Sequence, residues 1–162
     1  MKIQLTAVLG VFFALIGSIK VGGGAMLPFV YNSQTESLST RYQPALSNLL
    51  PRPNLNVMLE ELPTSTLMFW IGVPELLFGI VMLLSLRIPG LSTASDLFTR
   101  IMFIHMTFPL TAHFLGDDFS LPLNSSVGPM GFVPAAVVMG LLLLRALFSA
   151  SNSLIKLKSK LK

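Results

Sequence analysis

Four stretches of the chain are almost wholly apolar: residues 3–19, 67–86, 101–115 and 130–144 contain one acid, Glu75, and no Lys or Arg. A bilayer core about 30 Å thick asks for roughly 20 helical residues. The runs predict spanning helices at 4–21, 67–86, 97–115 and 130–148. The long segment 22–66 between the first two is rich in Gly, Pro, Ser, Asn and Thr, with apolar clusters such as Met26-Leu27-Pro28-Phe29-Val30. Within it Leu38, Tyr42, Leu46, Leu49 and Leu50 recur at spacings of three and four. That stripe predicts a short interfacial helix, ended by Pro51 and Pro53 and lying on the membrane surface or capping the bundle. The remaining connections, 87–96 with its Pro89-Gly90 turn and 116–129, are short, and short links make antiparallel neighbours. The expected fold is all-α, a polytopic membrane protein of one domain over 1–162. It is an antiparallel bundle of four transmembrane helices with a short interfacial helix in the first loop and a basic cytoplasmic tail at 149–162.

Composition agrees with lipid as the solvent. Charged residues make up 11% of the chain, against about 25% in an average soluble domain. The absence of cysteine removes disulfides, thiolate metal sites, CxxC redox chemistry and a Cys nucleophile. The net charge of +4 is accounted for by Lys156, Lys158, Lys160 and Lys162. A basic tail after a hydrophobic span is a topology signal, so no nucleic-acid partner is expected.

With both termini cytoplasmic, Lys2, Arg87, Arg100, Arg145 and the tail lysines lie inside and Lys20, Arg41 and Arg52 outside, which places eight of the 11 basic residues inside. The first segment has an alternative reading as a cleaved signal peptide, because Lys2 precedes it and Gly22, Gly23, Gly24 and Ala25 follow. Its length and Lys20 favour retention. Asn124-Ser125-Ser126 is a permissive glycosylation sequon on the lumenal side. Lys158 and Lys160 match a K-x-K-x-x retrieval pattern for the endoplasmic reticulum, and serve equally well as positive-inside charges.

Ionisable residues inside a span are functional candidates by default. Glu75 lies about 12 Å from the start of the second span, beside Pro74, which frees a backbone carbonyl one turn earlier. His105 falls at a similar depth on the third span. His113 and Asp117 lie near its lumenal end, and Lys20 near the lumenal end of the first. Glu75, His105, His113, Asp117 and Lys20 are therefore the candidate partner- or ligand-binding residues, with no catalytic set. Two readings stay open: an ion pair that locks packing, and a group contacting a ligand, partner helix or proton. No metal site is expected, because His105 and His113 stand about 80° apart round their helix and follow no metal-ligand spacing. No cofactor signature occurs, and the Gly22-Gly23-Gly24 triplet reads as a flexible span end. Arg100 and Arg145 are expected to snorkel at cytoplasmic ends. Gly10 with Gly17, and Gly72 with Gly79, are expected to let helices approach closely.

Several short motifs resemble the DoxX-like superfamily, in particular the small eukaryotic branch that includes the endoplasmic-reticulum chaperone of nicotinic acetylcholine receptors. They are Gly10-Val11-Phe12-Phe13 through Gly17-Ser18-Ile19-Lys20-Val21, Ile71-Gly72 with Glu75 and Gly79-Ile80-Val81-Met82, His113-Phe114-Leu115-Gly116-Asp117, and Leu143-Leu144-Arg145. The resemblance implies a four-helix membrane protein acting as an accessory or assembly factor on a membrane-protein partner, in the endoplasmic-reticulum membrane if the source is eukaryotic. It leans away from an enzyme. Two alternatives remain: a structural subunit of a large membrane complex, and a membrane oxidoreductase component handling a small lipid-soluble ligand such as a quinone.

Overall fold

A computed structural model describes residues 2–43, 61–115 and 129–160. Every regular element among them is helical. Helix α1 spans Lys2–Val21, α2 Pro28–Ser37, α3 Thr64–Ser85, α4 Ser92–Leu115 and α5 Pro129–Lys160. A π-helical turn, Leu38–Tyr42, continues α2, and a 3-10 turn, Pro89–Leu91, leads into α4. Three helical segments are long and apolar enough to cross a membrane: α1, α3 and Val133–Ala150 within α5. Helix α4, expected to span at 97–115, is not among these three, which are counted over the described residues alone.

The end of α1 is built by glycine. Gly23 and Gly24 have φ of 60° and 80°, a region that residues with a Cβ seldom enter. Gly24 N–H donates to the Ile19 carbonyl at 3.0 Å and Gly23 N–H to that of Lys20 at 3.4 Å, the paired bonds of a Schellman cap. The triplet is thus a defined turn rather than the flexible end that composition suggests. The chain then restarts at Pro28, whose fixed φ and missing N–H suit the first helical turn. The first-loop helix therefore begins well before the predicted apolar stripe. Leu38 of that stripe is buried in the π-helical turn, Tyr42 ends that turn, and Leu46, Leu49 and Leu50 lie outside the described residues. Helix α2 and its turn touch α1, α3 and α4, and Gln43 Nε2 donates to the Leu62 carbonyl at 3.0 Å, tying this cap to the approach to α3.

Helices α1 and α3 make the closest pair. A Cβ on Gly79 would stand 2.2 Å from the Ala14 nitrogen, and one on Gly17 2.4 Å from the Leu76 nitrogen. Gly10 faces Met82 and Leu83, while Gly17 faces Gly72 and Leu76, so the two chains run in opposite directions. In lipid the hydrophobic effect does not draw helices together, and close packing of small residues takes over that role. The contacts continue from α3 to α4, from α4 to α5 and from α5 back to α1. Each long helix sends two residues four apart into a shared core: Leu9 and Phe13, Phe78 and Met82, Met102 and Met106, Val138 and Leu142. That spacing places both side chains on one helix face. The Phe13 and Phe78 rings meet edge to face with centroids 4.8 Å apart.

Candidate functional site

Two polar clusters interrupt this apolar packing. The first joins α1, α3 and α4. Glu75 lies about 16 Å along α3 from Thr64 at 1.5 Å per residue, and α3 passes through Pro74 without a break. The seam between α1 and α3 sets the register that brings Lys20, in the last turn of α1, to the carboxylate: Lys20 Nζ lies 2.6 Å from Glu75 Oε1. His105 Nε2 approaches the same oxygen at 3.7 Å, near enough for a charge to be felt but too long for a hydrogen bond. The side chains of His105, Lys20 and Glu75 are 26%, 12% and 5% exposed. The imidazole is the member nearest the surface and the carboxylate the deepest. Glu75 Oε2 is buried and has no hydrogen-bond partner among the described residues. A buried acceptor left without a donor costs about 1–3 kcal/mol, more when charged, so this oxygen is an unfilled seat.

The structure brings together three of the five candidates, Lys20, Glu75 and His105. His113 lies on the last turns of α4, with its side chain outside the described residues, as is the whole of Asp117. Among the described residues no three His, Asp or Glu side chains converge to hold a metal.

The second cluster corrects the expectation that Arg145 snorkels. Arg145 is 1% exposed. Its Nε donates to Thr6 Oγ1 at 3.1 Å, its Nη2 to Ser95 Oγ at 2.6 Å, and its Nη1 to the Ser95 carbonyl at 3.3 Å and to the Thr99 hydroxyl. Nη2 also lies 3.1 Å from Asp96 Oδ1. The acceptors are themselves anchored: the Thr6 hydroxyl donates to the Lys2 carbonyl, that of Thr99 to the Ser95 carbonyl, and that of Ser95 to Met82 Sδ. Asp96 Oδ2 receives Lys2 Nζ at 3.1 Å and the Ser149 hydroxyl. A guanidinium is buried only when its donors are satisfied, and acceptors from α1 and α4 jointly satisfy this one on α5. The signal in the sequence was Ser95, Asp96 and Thr99 on α4, with Thr6 on α1, polar spots at the same end of otherwise apolar helices. Arg100, by contrast, is exposed as expected.

No family model, curated protein or solved structure matches the chain. Class and site rest on the geometry: a helical protein with, among the described residues, three helices apolar enough to span a bilayer, and a buried carboxylate between two cationic or basic groups.

Proposed function

We propose that this chain is an integral-membrane accessory or assembly factor, a four-span antiparallel bundle that acts through helix contacts with a membrane-protein partner. Glu75 is the residue on which that contact depends. The observation that carries the reading is Glu75 Oε2, an acceptor that no described residue fills, held inside an apolar bundle while its twin oxygen is taken by Lys20. A leucine at this depth avoids the cost of a buried acid, and a pair kept for packing alone gains by filling both oxygens. An amide or hydroxyl donor from a partner helix completes the site, with His105 as the side chain that yields.

Counting α4 as the fourth span is supported by how its residues divide. Ser95 and Thr99 turn inward to Arg145, while Leu97, Ile101 and Ile104 lie exposed along one stripe that suits lipid. The resemblance to DoxX-like proteins points to the same class, and with it to residence in the endoplasmic-reticulum membrane if the source is eukaryotic. A second reading, a small lipid-soluble ligand such as a quinol, draws on the same oxygen, which accepts a hydroxyl equally well.

Purification in mild detergent, with mass spectrometry of what stays bound, tests the proposal on the wild type and on Glu75→Gln. A stoichiometric membrane protein held by the wild type and lost from a folded Glu75→Gln protein is the expected result. A bound quinol, or the quinone to which it oxidises on purification, in its place transfers the reading to the ligand. Undiminished partner binding by Glu75→Gln sinks it.

A further inference from the structure

The segment that leaves α1 exposes large apolar side chains among the described residues. Phe29 is 85% exposed, Met26 65% and Leu27 43%. They gather at one end of α2, whereas Asn32 and Glu36, on the same exposed side as Phe29, are polar. The helix is therefore amphipathic along its axis rather than around it. No charged residue occurs between Lys20 and Glu36.

The placement of this end is fixed. Gly24 is buried against Tyr31, where a Cβ would come within 2.7 Å of the Tyr31 Cβ. The left-handed turn at Gly23 and Gly24 thereby presses α2 back toward the end of α1. Met26, Leu27 and Phe29 consequently stand within a few residues of the point where α1 ends at Val21.

We infer that Met26, Leu27 and Phe29 form a shallow lipid anchor, with the first turn of α2 dipped into the bilayer interface and its last turn in water. This rests on the membrane reading proposed above. Lipid is the occupant because the patch follows within a few residues on the end of α1, a helix apolar enough to cross a membrane, whose Val8, Val11 and Leu15 are exposed. Uncharged aromatic and aliphatic side chains at this level enter the headgroup and acyl boundary readily. The anchor holds the cap formed by α2 and its π-helical turn at a set height over the ends of α1, α3 and α4.

The chain has one tryptophan, Trp70, exposed on α3, which supplies both probe and control. The full-length protein is placed in phosphatidylcholine vesicles whose acyl chains carry bromine, a contact quencher, near the glycerol or near the chain end. Emission is compared for the wild type and for Phe29→Trp combined with Trp70→Phe. We expect the introduced tryptophan to lose emission to a degree comparable with Trp70, and more strongly to bromine near the glycerol. Met26→Trp in the same background provides a second reporter if helix content falls in the first variant. Quenching of Trp70 without quenching at position 29 or 26 overturns the anchor and leaves the span intact, as occupation of the patch by a second copy or another protein also does. Quenching of neither overturns the membrane reading itself.

Discussion

The Lys20 ammonium and the Glu75 carboxylate meet at 2.6 Å although 55 residues of chain separate them. The partners are unequal in their escape routes. Lys20 stands one residue from the end of α1 on a long flexible stem, so it can rise to water when its partner is removed. Glu75 is short, deep and 5% exposed in its side chain.

Removing Lys20 therefore strands a buried charge, and removing Glu75 does not. Lys20→Met is expected to lower stability by on the order of 3 kcal/mol, as for a broken buried pair, and Glu75→Gln by distinctly less. The double variant Lys20→Met with Glu75→Gln should be more stable than Lys20→Met alone. Thermal unfolding in one detergent checks the order, and equal losses for the two single variants contradict it.

The seam between α1 and α3 leaves no room for a methyl group at Gly79, where a Cβ would lie 2.2 Å from the Ala14 nitrogen. Gly79→Ala should cost about 1–3 kcal/mol, because backbone rather than a flexible side chain has to move. Gly140 on α5 has nothing within 4 Å of such a Cβ. Gly140→Ala should be neutral or stabilising by up to about 1 kcal/mol through lower backbone entropy in the unfolded chain. Matching thermal shifts for the two variants would falsify the close approach.

Arg145 and Arg100 would behave alike if both snorkelled; with Arg145 buried and Arg100 exposed they differ. Lysine keeps the charge but lacks the planar fork that reaches Thr6, Ser95, Thr99 and Asp96 at once. Arg145→Lys is expected to lose about 2 kcal/mol or more, given that hydrogen bonds to charged groups contribute about 1.5–3 kcal/mol each. Arg100→Lys, at an exposed position, should stay within about 0.5 kcal/mol of the wild type. The two melting curves measured side by side decide the matter.

Of these features, the helices were the most legible in the sequence. Apolar runs set by lipid thickness located all four long helices, because length and hydropathy are local properties. Helices α1 and α3 match to within three residues at either end, whereas α4 begins at Ser92 rather than 97 and α5 continues through the expected tail to Lys160 rather than ending at 148. The pairing of Lys20 with Glu75 was partly legible, since counting residues from span ends puts their heads within reach. Arg145 was misread because position near a span end speaks for water, whereas the groups that receive its donors come from two other helices. No periodicity reports such a convergence. The helix at Pro28–Ser37 was missed for a different reason: it has no apolar stripe. Its one local mark was a proline after a run of glycines, a start signal that the stripe farther along outweighed.

The proposed topology makes a separate prediction. With four spans and both ends cytoplasmic, tags at either terminus in sealed microsomes are digested by added protease. A protected tag at one end only would mean an odd number of crossings and would remove α4 from the spans.

The tight pairing of α1 with α3 also constrains how the protein is made. A charged residue near the middle of a helix adds roughly 2.5–3.5 kcal/mol to the cost of its release from the translocation channel into lipid. The cation that neutralises Glu75 belongs to a helix synthesised much earlier. Low-cost insertion of α3 therefore requires α1 to linger at the lateral gate until α3 emerges, so that the two leave together as a hairpin with its charges already cancelled. On the membrane reading proposed above, the glycines that let the backbones touch would then act during biogenesis as well as in the finished fold, by holding the first helix in place to receive the acid that follows it.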